Sequence, residues 1–127
     1  MADKQYKILL VEDEPELAEI FHFSLKSAGL NTELLREGSR VLQTIKRMKP
    51  DLVLLDLVIP NKDGYEILKE MKLDNTIKNI KVYVFSNLTQ AGEIDKAMKL
   101  GAKGYLVKSD YTPAKLTKKV KDILETD

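Results

Sequence analysis

Apolar positions in this chain fall into two rhythms. Residues 8–11, 52–55, 82–85 and 105–107 are unbroken apolar runs. A run of about four without alternation reads as a strand buried on both faces. The segments between them repeat apolar residues three and four apart, the period of a helix with one buried face. A strand at 7–11 leads to a helix at about 15–28, with Leu17, Ile20, Phe21, Ser24, Leu25 and Ala28 on one side. Pro15 suits its first position, where a missing N–H leaves nothing unpaired, and Gly29 suits its stop. A short strand at 32–35 precedes a helix opened by Gly38 and Ser39, with Val41, Leu42, Ile45 and Met48 inward and Pro50 at its end. After the strand at 52–55, the turn-rich residues 60–64 lead to a third helix carrying Ile67, Leu68 and Met71. A strand at 80–85 and a helix at about 90–100 follow, the helix burying Ile94, Ala97 and Met98 and ending at Gly101. The fifth strand spans 104–107. Thr112 caps the last helix and Pro113 starts it, with Leu116, Val120, Ile123 and Leu124 buried.

Five strands and five helices alternate without exception. That pattern predicts an α/β fold with a parallel sheet between two helical layers, a three-layer sandwich. These units use residues 1–127 as one domain, which leaves no linker, no low-complexity segment and no room for a DNA-binding module. The early stop after the fifth helix favours a complete single-domain protein.

Each apolar run ends on a polar residue. The first runs into Glu12 and Asp13, the second into Asp56, the third into Ser86 and the fourth into Lys108. Ligands of open parallel sheets bind outside the carboxyl ends of the strands. One rim therefore receives three carboxylates, a hydroxyl and an ammonium, a set suited to a metal and a phosphoryl group.

Composition narrows the chemistry. No cysteine is present, which excludes disulfides and thiolate metal sites, and a single histidine, His22, argues against zinc. No stretch approaches the ~20 apolar residues of a membrane span, and the first residues lack the apolar core of a signal peptide. A cytoplasmic location with no membrane partner is expected. Net charge is +1, unevenly placed: residues 96–121 carry +7, residues 1–95 carry −3 and residues 122–127 carry −3. The lysine stripe predicts a basic face near the C-terminus, and with few aromatics between its lysines it reads as a solvated face without direct nucleic-acid binding.

Each strand-end group has a bland reading beside the chemical one. Asp56 is either a nucleophile toward phosphorus or a turn aspartate. Glu12 and Asp13 either hold a hard cation with Asp56 or supply negative charge at a helix N-terminus, and both can hold together. Three carboxylates on one rim repel one another, so a cation partner is expected. Ser86 is a hydrogen-bond donor to a phosphoryl oxygen or a helix cap. Lys108 is a point charge for phosphate or a surface lysine.

Taken jointly, the pair Glu12 and Asp13, Asp56 with Pro60 and with Asp63 followed by Gly64, Ser86, Tyr105 and Lys108 resemble the receiver domain of bacterial two-component response regulators, of the chemotaxis type. The resemblance covers essentially the whole chain. It implies a doubly wound, flavodoxin-like sheet of order 2-1-3-4-5. It implies that Asp56 accepts a phosphoryl group from a sensor histidine kinase or a histidine phosphotransfer protein. Glu12, Asp13 and Asp56 would hold Mg2+, Ser86 and Lys108 would contact the phosphoryl group, and Tyr105 would be the aromatic switch residue. The output would be a helix 4, strand 5 and helix 5 surface offered to an unidentified downstream protein, a switch and not an enzyme.

The sequence departs from that pattern in places. Ser109 follows Lys108 where the family usually has a proline joined by a cis bond; the bond here is expected to be either trans with a rearranged loop or a retained cis bond, with the cis form favoured so that the lysine reaches the rim. Val58 and Leu88 are apolar where relatives often carry polar residues that position water, which implies slow loss of the phosphoryl group. Asn87 follows Ser86 where alanine or glycine is usual. Two rival readings remain. One is a degenerate receiver working as a phosphorylation-independent interaction module. The other is an aspartate-nucleophile phosphatase of the haloacid-dehalogenase kind, whose second acid is absent at Val58.

Overall fold

The computed structural model describes residues 5–126. Five parallel strands, β1 (Lys7–Val11), β2 (Asn31–Leu35), β3 (Leu52–Leu55), β4 (Val82–Ser86) and β5 (Gly104–Val107), lie in the order β2-β1-β3-β4-β5. The helices are α1 (Pro15–Ser27), α2 (Val41–Met48), α3 (Gly64–Leu73), α4 (Ala91–Lys99) and α5 (Pro113–Thr126). The expected three-layer fold and strand order are both present.

Strand pleating divides the core in two, because successive side chains point to opposite faces. Ile8 and Leu10 of β1, with Leu52 and Leu54 of β3, pack under α1 and α5 against Phe21, Leu25, Leu116, Val120 and Ile123. Leu9, Val11, Val53 and Leu55 pack on the other face against Val41 and Ile45 of α2, Ile67, Leu68 and Met71 of α3, and Ala97 of α4. From Ile8 onward β1 is therefore apolar at every position, as β3 is throughout, which explains the unbroken runs.

Helix ends follow their local chemistry. Pro15 opens α1, and the Glu14 carboxylate accepts the Leu17 N–H at 3.1 Å. Asp63 caps α3 by accepting the Glu66 N–H at 2.9 Å, and Thr112 caps α5 through the Lys115 N–H at 3.1 Å. Gly29, at φ 87°, takes the left-handed conformation that glycine adopts freely.

Three expectations fail in detail. Ile20 and Met98, expected inward, are 49% and 41% exposed. Their helices bury narrower stripes: Ala18, Phe21 and Leu25 in α1, and Ala97 alone in α4. A neighbour one residue along lies about 100° around the helix, outside such a stripe. Helix α2 begins at Val41 and not at Gly38, because the Glu37 carboxylate binds the Ser39 N–H and hydroxyl and holds that stretch as a loop. Strand β4 starts at Val82, after a turn in which the Ile80 N–H donates to the Ile77 carbonyl.

Candidate functional site

Sheet order reverses at β1, whose neighbours β2 and β3 lie on opposite sides, and the crevice above such a reversal is where a ligand fits. Glu12 and Asp13 follow β1 and Asp56 follows β3. One carboxylate oxygen from each lies within 4.8 Å of the other two. Glu12 is 0% exposed and Asp56 4%, both far below what carboxylates accept without partners.

Their partner is Lys108. Its Nζ is 2.8 Å from Asp56 Oδ2 and 2.8 Å from Glu12 Oε1. Burial lifts the Glu12 carboxyl above its ordinary value, although Lys108 and the Glu14 N–H oppose the shift. Burial also disfavours the Lys108 ammonium, but its close contacts with the Asp56 and Glu12 carboxylates outweigh it and hold the lysine pKa above its usual value. Glu12 Oε2 accepts the Glu14 N–H at 3.1 Å, whereas Oε1 is buried with no correctly directed donor. Lys108 thus compensates its charge without satisfying its hydrogen-bonding direction. Such an oxygen, beside two further carboxylates, suits a hard cation that takes oxygen ligands. The donor set of Glu12, Asp13 and Asp56 fits a divalent ion of the magnesium type.

Ser86 is the last residue of β4, pairs in register with Val107 of β5 and is 2% exposed. It does not cap α4, whose N-cap is Gln90. Its hydroxyl instead accepts the Leu88 N–H at 3.4 Å. Asp56 keeps part of its turn character, since Oδ1 accepts the Val58 N–H at 3.3 Å. The following loop is pressed close to it. A Cβ added at Gly64 would lie 2.7 Å from the Asp56 carbonyl oxygen and 2.8 Å from Leu57 Cα, so only glycine lets α3 start there. Tyr105 packs against the core on the α2, α3 and α4 side, and its hydroxyl donates to the Leu88 carbonyl.

The favoured cis bond is absent and the trans alternative is found: no cis peptide occurs among the described residues, so Lys108 and Ser109 are joined in trans. A cis bond before a non-proline residue costs about 3–4 kcal/mol, and the lysine reaches the carboxylates without it. A single 3-10 turn, Lys108–Asp110, follows β5, and the Ser109 N–H donates to Asn87 Oδ1 at 2.8 Å. A second contact was also not expected: the Tyr65 hydroxyl donates to the Glu93 carboxylate, and Lys96 Nζ sits 4.2 Å from the centre of the Tyr65 ring. Tyr65 and Glu93 lie on different helices, and no local sequence signal pairs them.

The response regulator receiver domain family matches residues 8–121. The chain belongs to that family. Among curated relatives, this receiver is 33% identical to the transcriptional regulatory protein BaeR of Escherichia coli over 120 residues, 93% of this chain and 48% of that protein. It is 28% identical to the DNA-binding response regulator MtrA of Mycolicibacterium smegmatis over 121 residues, 95% of this chain and 51% of that protein. The chain spans about half the length of these curated relatives. Among solved structures, the phosphorylated cyanobacterial phytochrome response regulator RcpA is 31% identical with a TM-score of 0.82, over 96% of this chain and 93% of that one. The chemotaxis protein CheY4 of Vibrio cholerae superposes with a TM-score of 0.85 at 22% identity over 94% of this chain and 99% of that one, a likeness of fold alone. No described helix of the receiver is long and apolar enough to cross a membrane.

Proposed function

We propose that this receiver accepts a phosphoryl group on Asp56 from a sensor histidine kinase or a histidine phosphotransfer protein, in a reaction that needs Mg2+. The observation that carries the reading is the meeting of buried Glu12 and Asp56 with half-buried Asp13 and with Lys108 above the sheet's reversal point. A solvated cap aspartate would not need a buried ammonium and two further carboxylates.

An Asp56 carboxylate oxygen forms the new bond to phosphorus while the bond to the donor's leaving nitrogen or oxygen breaks, and the leaving group keeps that electron pair. Lys108 hands its charge from the Asp56 carboxylate to the incoming phosphoryl oxygens. Ser86 stands across the rim with a hydroxyl able to donate. Bound magnesium would neutralise charge on the transferring group. Glu12, Asp13 and Asp56 are the residues that would hold it.

The switch reading rests on Tyr105 and the face around it. Helices α4 and α5 flank the edge strand β5, and Lys96, Lys99, Lys103, Lys115, Lys118 and Lys119 are all exposed there. This basic face suits an acidic protein surface and speeds encounter with it. Tyr105 ties β5 to the loop after Ser86 through Leu88, so movement of Ser86 toward a phosphoryl group reaches the ring directly. RcpA is a phosphorylated response regulator by its own description, which supports the same chemistry here.

Intact-mass measurement after treatment with acetyl phosphate and Mg2+ tests the reading. A phosphoryl mass gain mapped to Asp56, dependent on magnesium, is the expected result. No gain under saturating donor and magnesium favours the phosphorylation-independent module, and turnover of unrelated phosphoesters favours a phosphatase.

Tyr105→Ala separates the switch from the chemistry. The variant takes up the phosphoryl group at a rate within about twofold of the parent, because Tyr105 does not touch the carboxylates, but the signal stops short of α4. Hydrogen exchange reads this: phosphorylation changes amide protection across residues 86–110 in the parent and only around Asp56 in the variant. Identical exchange maps for the two proteins would remove Tyr105 from the switch.

A further inference from the structure

Two loops cross the rim above Asp56, and one side chain joins them. The first follows β4 and carries Ser86, Asn87 and Leu88. The second follows β5 and consists of the 3-10 turn Lys108–Asp110, held to itself by the Tyr111 N–H on the Lys108 carbonyl at 3.1 Å. Strand pairing keeps Ser86 beside Val107, but it stops there. Past that point the Ser109 N–H donates to Asn87 Oδ1 at 2.8 Å.

This bond needs both residues at once. The donor is a backbone N–H, which a proline at 109 would lack. The acceptor is a side-chain carbonyl, which an alanine or glycine at 87 would lack. Asn87 and Ser109 are exposed, so neither is explained by core packing. Each is the direct neighbour of a residue on the rim: Asn87 follows Ser86, and Ser109 follows Lys108. The lysine is the one member of the buried cluster delivered from the edge strand, and its side chain is 9% exposed between two carboxylates.

We propose that Asn87 is a positioning residue, a clasp that holds the Ser109 backbone and so delivers Lys108 and Ser86 to the Asp56 phosphoryl site as one unit. The inference rests on the proposed phosphoryl transfer for its kinetic consequence, while the clasp itself is measurable without it. Asn87 touches neither the carboxylates nor the cation they would hold. Its loss therefore slows transfer without weakening magnesium binding, since Glu12 and Asp13 follow β1 and Asp56 follows β3, strands the clasp does not hold.

The test compares Asn87→Ala, Asn87→Asp, Ser109→Pro and the double variant Asn87→Ala with Ser109→Pro. Phosphoryl uptake from acetyl phosphate is timed at saturating Mg2+, and magnesium affinity is measured by calorimetry. Asn87→Ala slows uptake roughly fivefold, the scale of one partly exposed hydrogen bond, with magnesium affinity no weaker than the parent's. The double variant is no slower than the slower single variant, because both changes cut the same bond. Ser109 amide exchange rises in Asn87→Ala and returns to the parent value in Asn87→Asp, which keeps an acceptor oxygen. Parent-like uptake by Asn87→Ala, losses that multiply in the double variant, or a magnesium affinity that falls with the rate would each overturn the clasp. If the parent takes up no phosphoryl group, the proposed function fails, and the Ser109 amide then decides the clasp: equal protection in the parent and in Asn87→Ala overturns it.

Discussion

Asp56→Asn takes up no phosphoryl group from acetyl phosphate or from a phosphorylated histidine donor, at any magnesium concentration. The substitution nearly conserves shape, and the introduced amide keeps an oxygen that can accept the Val58 N–H, which Asp56 Oδ1 accepts at 3.3 Å. What changes is the nucleophile. A neutral amide has no carboxylate lone pair to place on phosphorus and no formal charge to hold Lys108 at 2.8 Å. Uptake therefore falls below detection and not by a modest factor, since no other carboxylate can take over the role. Glu12 is sealed at 0% exposure with one oxygen already on the Glu14 N–H. Asp13 stays on the rim, where it would serve as a cation ligand. Folding is retained, because removing one charge leaves Lys108 paired with Glu12 at 2.8 Å. Intact mass and peptide mapping read the result. Phosphate mapped to a second residue in a folded Asp56→Asn protein would show that the acceptor lies elsewhere.

The strand-end groups were legible in the sequence for a topological reason. A parallel sheet puts every carboxyl end on one edge, so Glu12, Asp13, Asp56, Ser86 and Lys108 meet once their runs are recognised as strands. The fold was legible because β1 and β3 are buried on both faces and show unbroken apolar runs. Side-chain contacts between distant loops were not legible in the same way. Asn87 and Ser109 stood out as departures from a pattern, but their spacing of 22 positions says nothing about a bond between them. The expectation of a cis bond failed for the same reason: the lysine's need to reach the rim was clear, and the alternative support from Asn87 was not. Ile20 and Met98 show a third kind of limit. A period of three and four marks a helix face, but only packing decides how wide a stripe that face buries.

Without divalent cation, Lys108→Met is less stable than the parent by about 3 kcal/mol at neutral pH, and Mg2+ restores most of the loss. Removing one partner of a buried ion pair costs roughly 3–5 kcal/mol, because the other charge is left uncompensated. Here two carboxylates are left, Glu12 at 0% and Asp56 at 4% exposure, with Asp13 beside them. The low end of that range is expected because Glu12 can take up a proton. Its folded-state pKa is already raised by burial and is held down in part by Lys108. Losing the lysine raises it further. A carboxyl whose folded pKa lies above its unfolded value stabilises the fold below the unfolded pKa and loses that contribution as pH rises through the folded pKa. The variant's deficit is therefore largest at neutral pH and shrinks as pH falls toward the ordinary carboxylate range. Magnesium acts on the same charges. In the parent the ammonium would compete with a bound cation for Asp56 and Glu12, a repulsion of roughly 4 kcal/mol per unit-charge pair at 4 Å and an effective dielectric of 20. Even a third of that, ~1.4 kcal/mol, is a tenfold gain in magnesium affinity for Lys108→Met. Thermal melts across pH, with and without Mg2+, read both effects. A variant as stable as the parent without cation, or one with parent-like magnesium affinity, would mean that Lys108 does not hold the carboxylates together.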